Sequence, residues 1–256
     1  MKSALNNEKQ VPVHHSREEF VARIGQNKSI LEIGPFFNPI CKGNNVKYFD
    51  ILNQEELIER AIQIDQKEHS SNVPFIEFVS KTGDISTINE KFDAIVSSHV
   101  IEHQLDVIEH LKMISNLLNE NGKYYLFVPD KRYCFDHFNN ESTIADVIQG
   151  AHDKKEKHTL KSVIEHRALT THNDAGRHWA GDHGDISNNT ERVKASIAEF
   201  ETGVYIDVHA WYFTDYSFQN IINTLEGLGM IDLHLEEMYP TNPGHLEFFA
   251  VLKKTK

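Results

Sequence analysis

An apolar run from Ser29 to Ile33 carries Glu32 and ends at Gly34, and a second run from Val46 to Leu52 carries Asp50, eighteen residues beyond that glutamate. A glycine and an acid where one strand ends, with another acid closing the next strand about 20 residues on, build a nucleoside pocket in an open parallel sheet. The glycine lets a ligand lie close to the main chain, and the Asp50 carboxylate can accept hydrogen bonds from both ribose hydroxyls. An aspartate that merely caps a turn is the competing reading. The G-x-G-x-x-G pattern that cradles a pyrophosphate is absent, which argues against a dinucleotide.

Further polar residues close the apolar run Phe92 to Val96. These are Ser97, Ser98 and His99, and His99 shares one face with Glu102 and His103 if the chain turns helical there. Two imidazoles and a carboxylate can move a proton near neutral pH or bind a divalent ion, with a fourth ligand drawn from His137, His178 or His183. Between Ala175 and Asp185, glycine turns surround His178, Trp179, Asp182 and His183. Trp179 can stack on a sugar ring, and Asp182 or His183 can take a hydroxyl proton. A tryptophan that only anchors the segment is the plainer alternative. Lys131 and Arg132 follow a strand directly, where an arginine can pair with a phosphate or carboxylate, unless the pair is simply solvated. Cys41 and Cys134 show neither metal spacing nor a base partner.

The elements that must position these groups read as alternating strands and helices. Ser16 to Gly25 opens with a capping-box pattern, Ser16 and Glu19, and predicts a short leading helix. Strands are expected at Ile30 to Ile33, Tyr48 to Leu52, Phe75 to Val79, Lys91 to Ser98, Tyr124 to Val128, Met230 to Leu235 and Glu247 to Lys253. Helices are expected at Gln54 to Lys67, Asp106 to Leu118, stopped by Asn121 and Gly122, and Thr214 to Leu228. The expected fold class is α/β: a seven-stranded, mostly parallel Rossmann-like sheet with helices on both faces. About eighty residues after strand five fit no sheet element. They form a helical, histidine-rich insertion with helices at Thr143 to Ile148, Leu160 to Leu169 and Thr190 to Phe200, suited to a lid that binds substrate. The expected organisation is a helical lead at 1–27, a core at 28–130 and 212–256, and the insertion at 131–211.

Composition narrows the partners. A formal net charge of -12 repels phosphate backbones, which argues against nucleic acid and favours a small molecule or sugar. No apolar stretch approaches the ~20 residues that cross a bilayer. The polar start, Met1 to Gln10, lacks the apolar core of an export signal, and two cysteines are few for a secreted disulfide framework. The expected location is the cytoplasm.

In order and spacing, Leu31 to Pro39, Asp50, Gly83-Asp84, Phe92 to His103 and Asn121 to Pro129 resemble class I S-adenosylmethionine-dependent methyltransferases. The likeness covers residues 28 to 130 and 212 to 253. Pro129 to Asp136 looks like a block from a bacterial subgroup associated with glycan assembly. The resemblance implies methyl transfer from S-adenosylmethionine to a hydroxyl, or less readily an amine, of a small polar acceptor, with a sugar or glycan precursor as one class. It implies cofactor contacts from Glu32, Gly34, Pro35, Asp50, Ile51, Asp84, Ser97, Ser98 and His99. His99, His103 and His183 are the candidate bases, Arg132, His178 and Trp179 the candidate substrate contacts, and Arg17 a candidate cap for the cofactor carboxylate. The family usually repeats glycine at every second position after the acid, whereas this chain has Phe36 and Asn38 there. S-adenosylmethionine has no pyrophosphate, so Gly34 alone can suffice. Some similar methyltransferases hold a metal at the positions of His99, Glu102 and His103, while many use the Glu-His pair only for packing. No resident metal is expected. A nicotinamide-dependent oxidoreductase and a non-catalytic cofactor-sensing or partner-binding module are the rival readings.

Overall fold

The computed structural model describes residues 16–255, so the reading of Met1 to Gln10 lies outside the described residues. A seven-stranded sheet runs in the order β3-β2-β1-β4-β5-β7-β6. Its strands are β1 (Ile30–Ile33), β2 (Val46–Asp50), β3 (Phe78–Val79), β4 (Phe92–Ser98), β5 (Leu118–Pro129), β6 (Leu233–Tyr239) and β7 (Glu247–Lys254). Only β7 runs against its neighbours, as expected for a mostly parallel sheet. The central strands are apolar on both faces because helices cover both.

Alternation along β1 separates the two faces. Leu31 and Ile33 point into a large core under α3 (Val107–Leu117) and α8 (Asp215–Gly227), while Ile30 points to the opposite face under α1 (Arg17–Ile24). On that face Phe20 of α1 stacks on Phe249 at 5.0 Å and meets Phe127 edge-on. Full burial of one such ring contributes roughly 1.5–3 kcal/mol. The predicted capping box of α1 is present, with Ser16 and Glu19 bonded reciprocally.

No helix joins β1 to β2; the chain crosses as an irregular loop pinned by Glu32, a carboxylate on the α1 face. Further on, α2 (Gln54–Gln63) ends earlier than its pattern suggests, because Asp65 takes a left-handed φ of 60°. Only Phe78 and Val79 of the third predicted strand pair with β2. After α3 the pinched turn at Asn121 (φ 62°) and Gly122 lies inside a bulge: Leu118 pairs with Phe92 and the ladder resumes at Lys123 with Ala94, so β5 begins at Leu118 instead of Tyr124. Met230 closes α8, its amide bonded to the Leu225 carbonyl, which moves the start of β6 to Leu233.

Between β5 and α8 lie α4 (Ile144–Asp153), α5 (Leu160–Ala168), α6 (Ala175–Trp179) and α7 (Thr190–Glu201). The sequence pattern missed α6, a five-residue helix too short to show a period. From Val204 the chain returns extended across the end of β4. Ala210 and Trp211 donate their amides to the Glu102 carbonyl, and the Trp211 indole donates to the Gln104 carbonyl. This strap carries Asp207 and His209.

Candidate functional site

The carboxyl ends of β1, β2, β4 and β5 gather the predicted residues along one edge of the sheet. Gly34 turns there with φ 69° and donates its amide to the Phe49 carbonyl. A Cβ at this position would lie 2.9 Å from Val100 Cγ2, so glycine alone lets the turn after β1 sit against the chain leaving β4. Pro35 is buried beside it, and the Phe36 ring packs with Phe37 toward Leu57 and Val73. Asp50, 8% exposed, closes β2 on the same edge. Burial pushes its carboxyl up to about 6, against the pull of the Leu52, Ile51 and Phe36 amides. The Leu52 contact, 3.2 Å, holds the side chain in place at the strand end. Ile51 adds an exposed apolar surface immediately beyond.

Several predicted cofactor contacts are committed elsewhere. Both oxygens of Glu32 accept main-chain amides, Ile40 at 2.7 Å and Cys41 at 2.9 Å, so this carboxylate anchors the loop after β1. Burial pushes it up to about 7. Asp84 accepts the Ser86 amide at 2.8 Å and caps a short 3-10 turn, Ile85–Thr87; that bonding lowers its carboxyl. Ser97 Oγ lies 2.6 Å from Tyr124 Oη, which meets His110 Nε2 at 3.1 Å, in a buried network under α3. Ser98 is half-buried at the end of β4. Arg17 is ion-paired with Glu247, and its guanidinium lies 4.5 Å over the Phe127 ring.

His99 departs from the shared face expected of it. Its φ of 54° reverses the chain before the turn Ile101–His103, and its Nε2 lies 3.0 Å from Glu247 Oε2. Burial opposes its charged form, but the Glu247 hydrogen bond and the Glu102 and Glu247 charges outweigh that and raise its pKa. The set His99, Glu102 and His103 is therefore replaced by Glu102, His103 and His209.

That second set is the chemically richest group on the edge. Glu102 is fully buried, and neither carboxylate oxygen has a hydrogen-bond partner. His103 Nε2 and His209 Nε2 lie 4.0 and 3.8 Å from Glu102 Oε1, with the two rings nearly perpendicular. Each imidazole is oriented from behind. His103 Nδ1 meets Asp207 at 2.9 Å, and His209 Nδ1 meets Asp136 at 2.6 Å. A carboxylate accepts, so each Nδ1 carries a proton, and each Nε2 faces Glu102, as an N–H in the imidazolium and as a lone pair in the neutral ring. Burial works against protonation of His103, yet the Asp207 hydrogen bond and the Glu102 charge outweigh it and raise its pKa. Asp207 is correspondingly lowered to about 2, its bond to His103 overcoming burial.

Sequence reasoning missed His209, Asp207 and Asp136. A signal existed: Asp207 and His209, two apart in an extended segment, share a face. Asp136, in contrast, lies inside the block Pro129 to Asp136 and has no local pattern to mark it.

The insertion residues separate from this group. Arg132 bonds Asp130 through Nε and Nη2 and also bonds Asp215 at 2.6 Å, so its guanidinium is spent neutralising a fully buried aspartate. Its side chain nevertheless stays 42% exposed. Trp179 stacks on Tyr133 at 4.0 Å and donates its indole N–H to the His245 carbonyl, leaving 37% of its surface exposed. His178 and His183 meet at 3.0 Å beside His137 and not beside His103. Burial holds His137 and His178 below the usual histidine range. At the opposite edge of the sheet, a polar cleft of about 420 Å³ opens between Asn27, Asp93 and Lys123, at the amino ends of β4 and the inner part of β5. Ligands of open α/β sheets bind at the carboxyl edge, so this cleft is not the site.

No curated protein matches the chain in sequence. Among solved structures, it is similar to magnesium protoporphyrin IX methyltransferase of Synechocystis PCC 6803 with bound SAH: 10% identity, 93% of this chain and 81% of that one, TM-score 0.42. A SAM-dependent methyltransferase from Aquifex aeolicus is 12% identical over 93% of this chain and 89% of its own, with TM-score 0.44. One from Clostridium acetobutylicum ATCC 824 is 12% identical over 89% and 84%, with TM-score 0.44. A family model described as a methyltransferase domain matches residues 7–181, well over half of the chain. That span takes in the Gly34 turn, Asp50 and the Glu102-His103 pair, and by it the chain belongs to the methyltransferase-domain family.

Proposed function

We propose that this methyltransferase carries the methyl group of S-adenosylmethionine to a hydroxyl of a small polar acceptor, a sugar or glycan precursor, with His103 as the base. The observation that carries this reading is the His103 imidazole backed by Asp207 and facing a buried, unpartnered Glu102 immediately after β4. Residues of the β1 and β2 ends fit the cofactor: Gly34 permits close approach, Asp50 is held ready for the ribose, and Ile51 offers an apolar surface. When bound, S-adenosylmethionine supplies a methyl carbon already activated by the sulfonium, so the protein's main tasks are alignment and exclusion of water.

The acceptor oxygen would gain the methyl group as the cofactor's sulfur leaves with the bond pair, and His103 Nε2 would take the hydroxyl proton. Asp207 keeps the imidazole in the tautomer that can receive it, and the Glu102 charge stabilises the imidazolium. His209, tied to Asp136, is placed to hold a second hydroxyl of a polyol. The half-exposed indole of Trp179, pre-aligned on Tyr133, suits a sugar ring. Location in the cytoplasm fits a cofactor of the intracellular pool.

A specific observation favours a second reading of the same group. The orphaned Glu102 carboxylate with two imidazole lone pairs fits a divalent ion, and each imidazole already has a carboxylate behind it, as metal-bound histidines do. Glu102, His103 and His209 would hold such an ion, which would polarise the acceptor oxygen.

Thermal-shift titration tests the cofactor assignment. S-adenosylmethionine and S-adenosylhomocysteine raise the melting temperature and NADH does not. Stabilisation by NADH alone sustains the oxidoreductase alternative, and turnover of none of the acceptors tried, despite cofactor binding, the sensing module. The same titration carries a pH signature. Asp50 is raised to about 6 in the free protein, and ribose hydroxyls donate to its ionised form. Affinity is therefore full above that pH and falls about tenfold per unit below it. A flat affinity from pH 7 to pH 5 would remove Asp50 from the contact.

A further inference from the structure

Three more imidazoles converge away from Glu102. His137 follows β5, His178 lies on α6, and His183 lies in a loop between Gly181 (φ 84°) and Gly184 (φ 73°). His137 Nδ1 is 2.8 Å from the Arg132 carbonyl oxygen, and His178 Nε2 is 3.1 Å from the His172 carbonyl oxygen. Carbonyls only accept, so those two nitrogens carry the protons and leave lone pairs on His137 Nε2 and His178 Nδ1. His178 Nδ1 lies 3.0 Å from His183 Nδ1, and one ring nitrogen from each of the three lies within 4.8 Å of the others. The neighbouring His172 is committed: its Nε2 donates to the Asp182 carbonyl and its Nδ1 accepts the Asp174 amide.

We propose that His137, His178 and His183 bind one divalent ion of the zinc class, with a fourth position open to solvent. An all-imidazole donor set suits zinc, copper or nickel and not magnesium or calcium. A tetrahedral zinc with nitrogens at about 2.0–2.1 Å separates them by about 3.3 Å, close to the 3.0 Å between His178 and His183 and inside the 4.8 Å that bounds all three. The carbonyls behind His137 and His178 are the outer partners that fix a ligand's tautomer and aim. His183 is the ring that adjusts. It now stacks on His137 at 3.8 Å and 10°, so its lone pair must swing toward the ion, and its proton moves from Nδ1 to Nε2. The flanking glycines allow that swing. His178 is buried, while His137 and His183 are half-buried, which leaves one side open for a water or an acceptor oxygen. Bound there, the ion would join the turn after β5 to α6 and fix Trp179, the residue next to His178.

The test is independent of methyl transfer. Full-length protein is stripped with chelator, dialysed, and titrated with Zn(II) by calorimetry and with Co(II) by visible absorption. The wild type binds, His183→Ala weakens one equivalent by at least about tenfold, and Glu102→Ala retains that equivalent. Circular dichroism and melting curves confirm that each variant is folded, and His137→Ala, also half-buried, repeats the measurement at a second ligand. No binding by the wild type, or an equivalent unweakened in both His183→Ala and His137→Ala, overturns the proposal.

Discussion

Replacing His103 by alanine lowers kcat by about 10²- to 10⁴-fold, the range for loss of a positioned base, and leaves the affinity for S-adenosylmethionine unchanged. The split follows from where His103 stands. Its Nδ1 is bound by Asp207 and its Nε2 faces Glu102, whereas the cofactor contacts lie at Gly34 and Asp50, on the ends of other strands. Its pH profile separates a base from a packing residue. Because Asp207 and Glu102 raise its pKa, His103 keeps its proton to a higher pH than an ordinary histidine, and the rate climbs only as that proton leaves. In Asp207→Asn one raising influence is gone, so the acid limb of kcat moves to lower pH. An unmoved limb would mean that His103 does not titrate in catalysis. Chelation distinguishes the second reading when it is repeated in His137→Ala, which lacks the insertion site: loss of that variant's activity in EDTA, restored by added metal, transfers His103 from base to ligand.

The second large effect concerns the cofactor. Asp50→Ala weakens S-adenosylmethionine by about 1–3 kcal/mol, roughly 5- to 150-fold, as expected when hydrogen bonds to an ionised group are lost. The fold should tolerate the change, because the carboxylate is raised by burial and the free protein loses little by its removal. Asp84→Ala supplies the contrast. Its carboxylate is already occupied by the Ser86 amide, so substitution frays a turn and leaves cofactor affinity nearly intact. Isothermal titration of both variants decides the matter, and equal effects would place the two aspartates on the same footing.

Much of the sheet was legible from local pattern. Ile30 to Ile33 and Phe92 to Ser98 are short apolar runs that suit strands covered on both faces, and Ser16 with Glu19 announces the start of α1. Where the reading slipped, a neighbour decided. The left-handed residues Asp65, His99 and Asn121 each redirect the chain, and nothing in their side chains forces that conformation. Glu32 shows the same limit at the site. Its position at the end of β1 was readable, but its partners are amides that the loop brings back from residues 40 and 41.

Sequence alone determined the glycine turn at residue 34, the acid at residue 50 and the succession of strands along the chain around them, because these depend on spacings within one or two consecutive elements. Tertiary structure alone decided that Glu102 and His103 work with His209, Asp207 and Asp136 and not with His99. Those partners lie more than thirty residues away in sequence, and they arrive only when the strap from Val204 hydrogen-bonds across the end of β4. Such long-range closure is set by packing and by the need to surround a buried charge, and neither leaves a period in the chain.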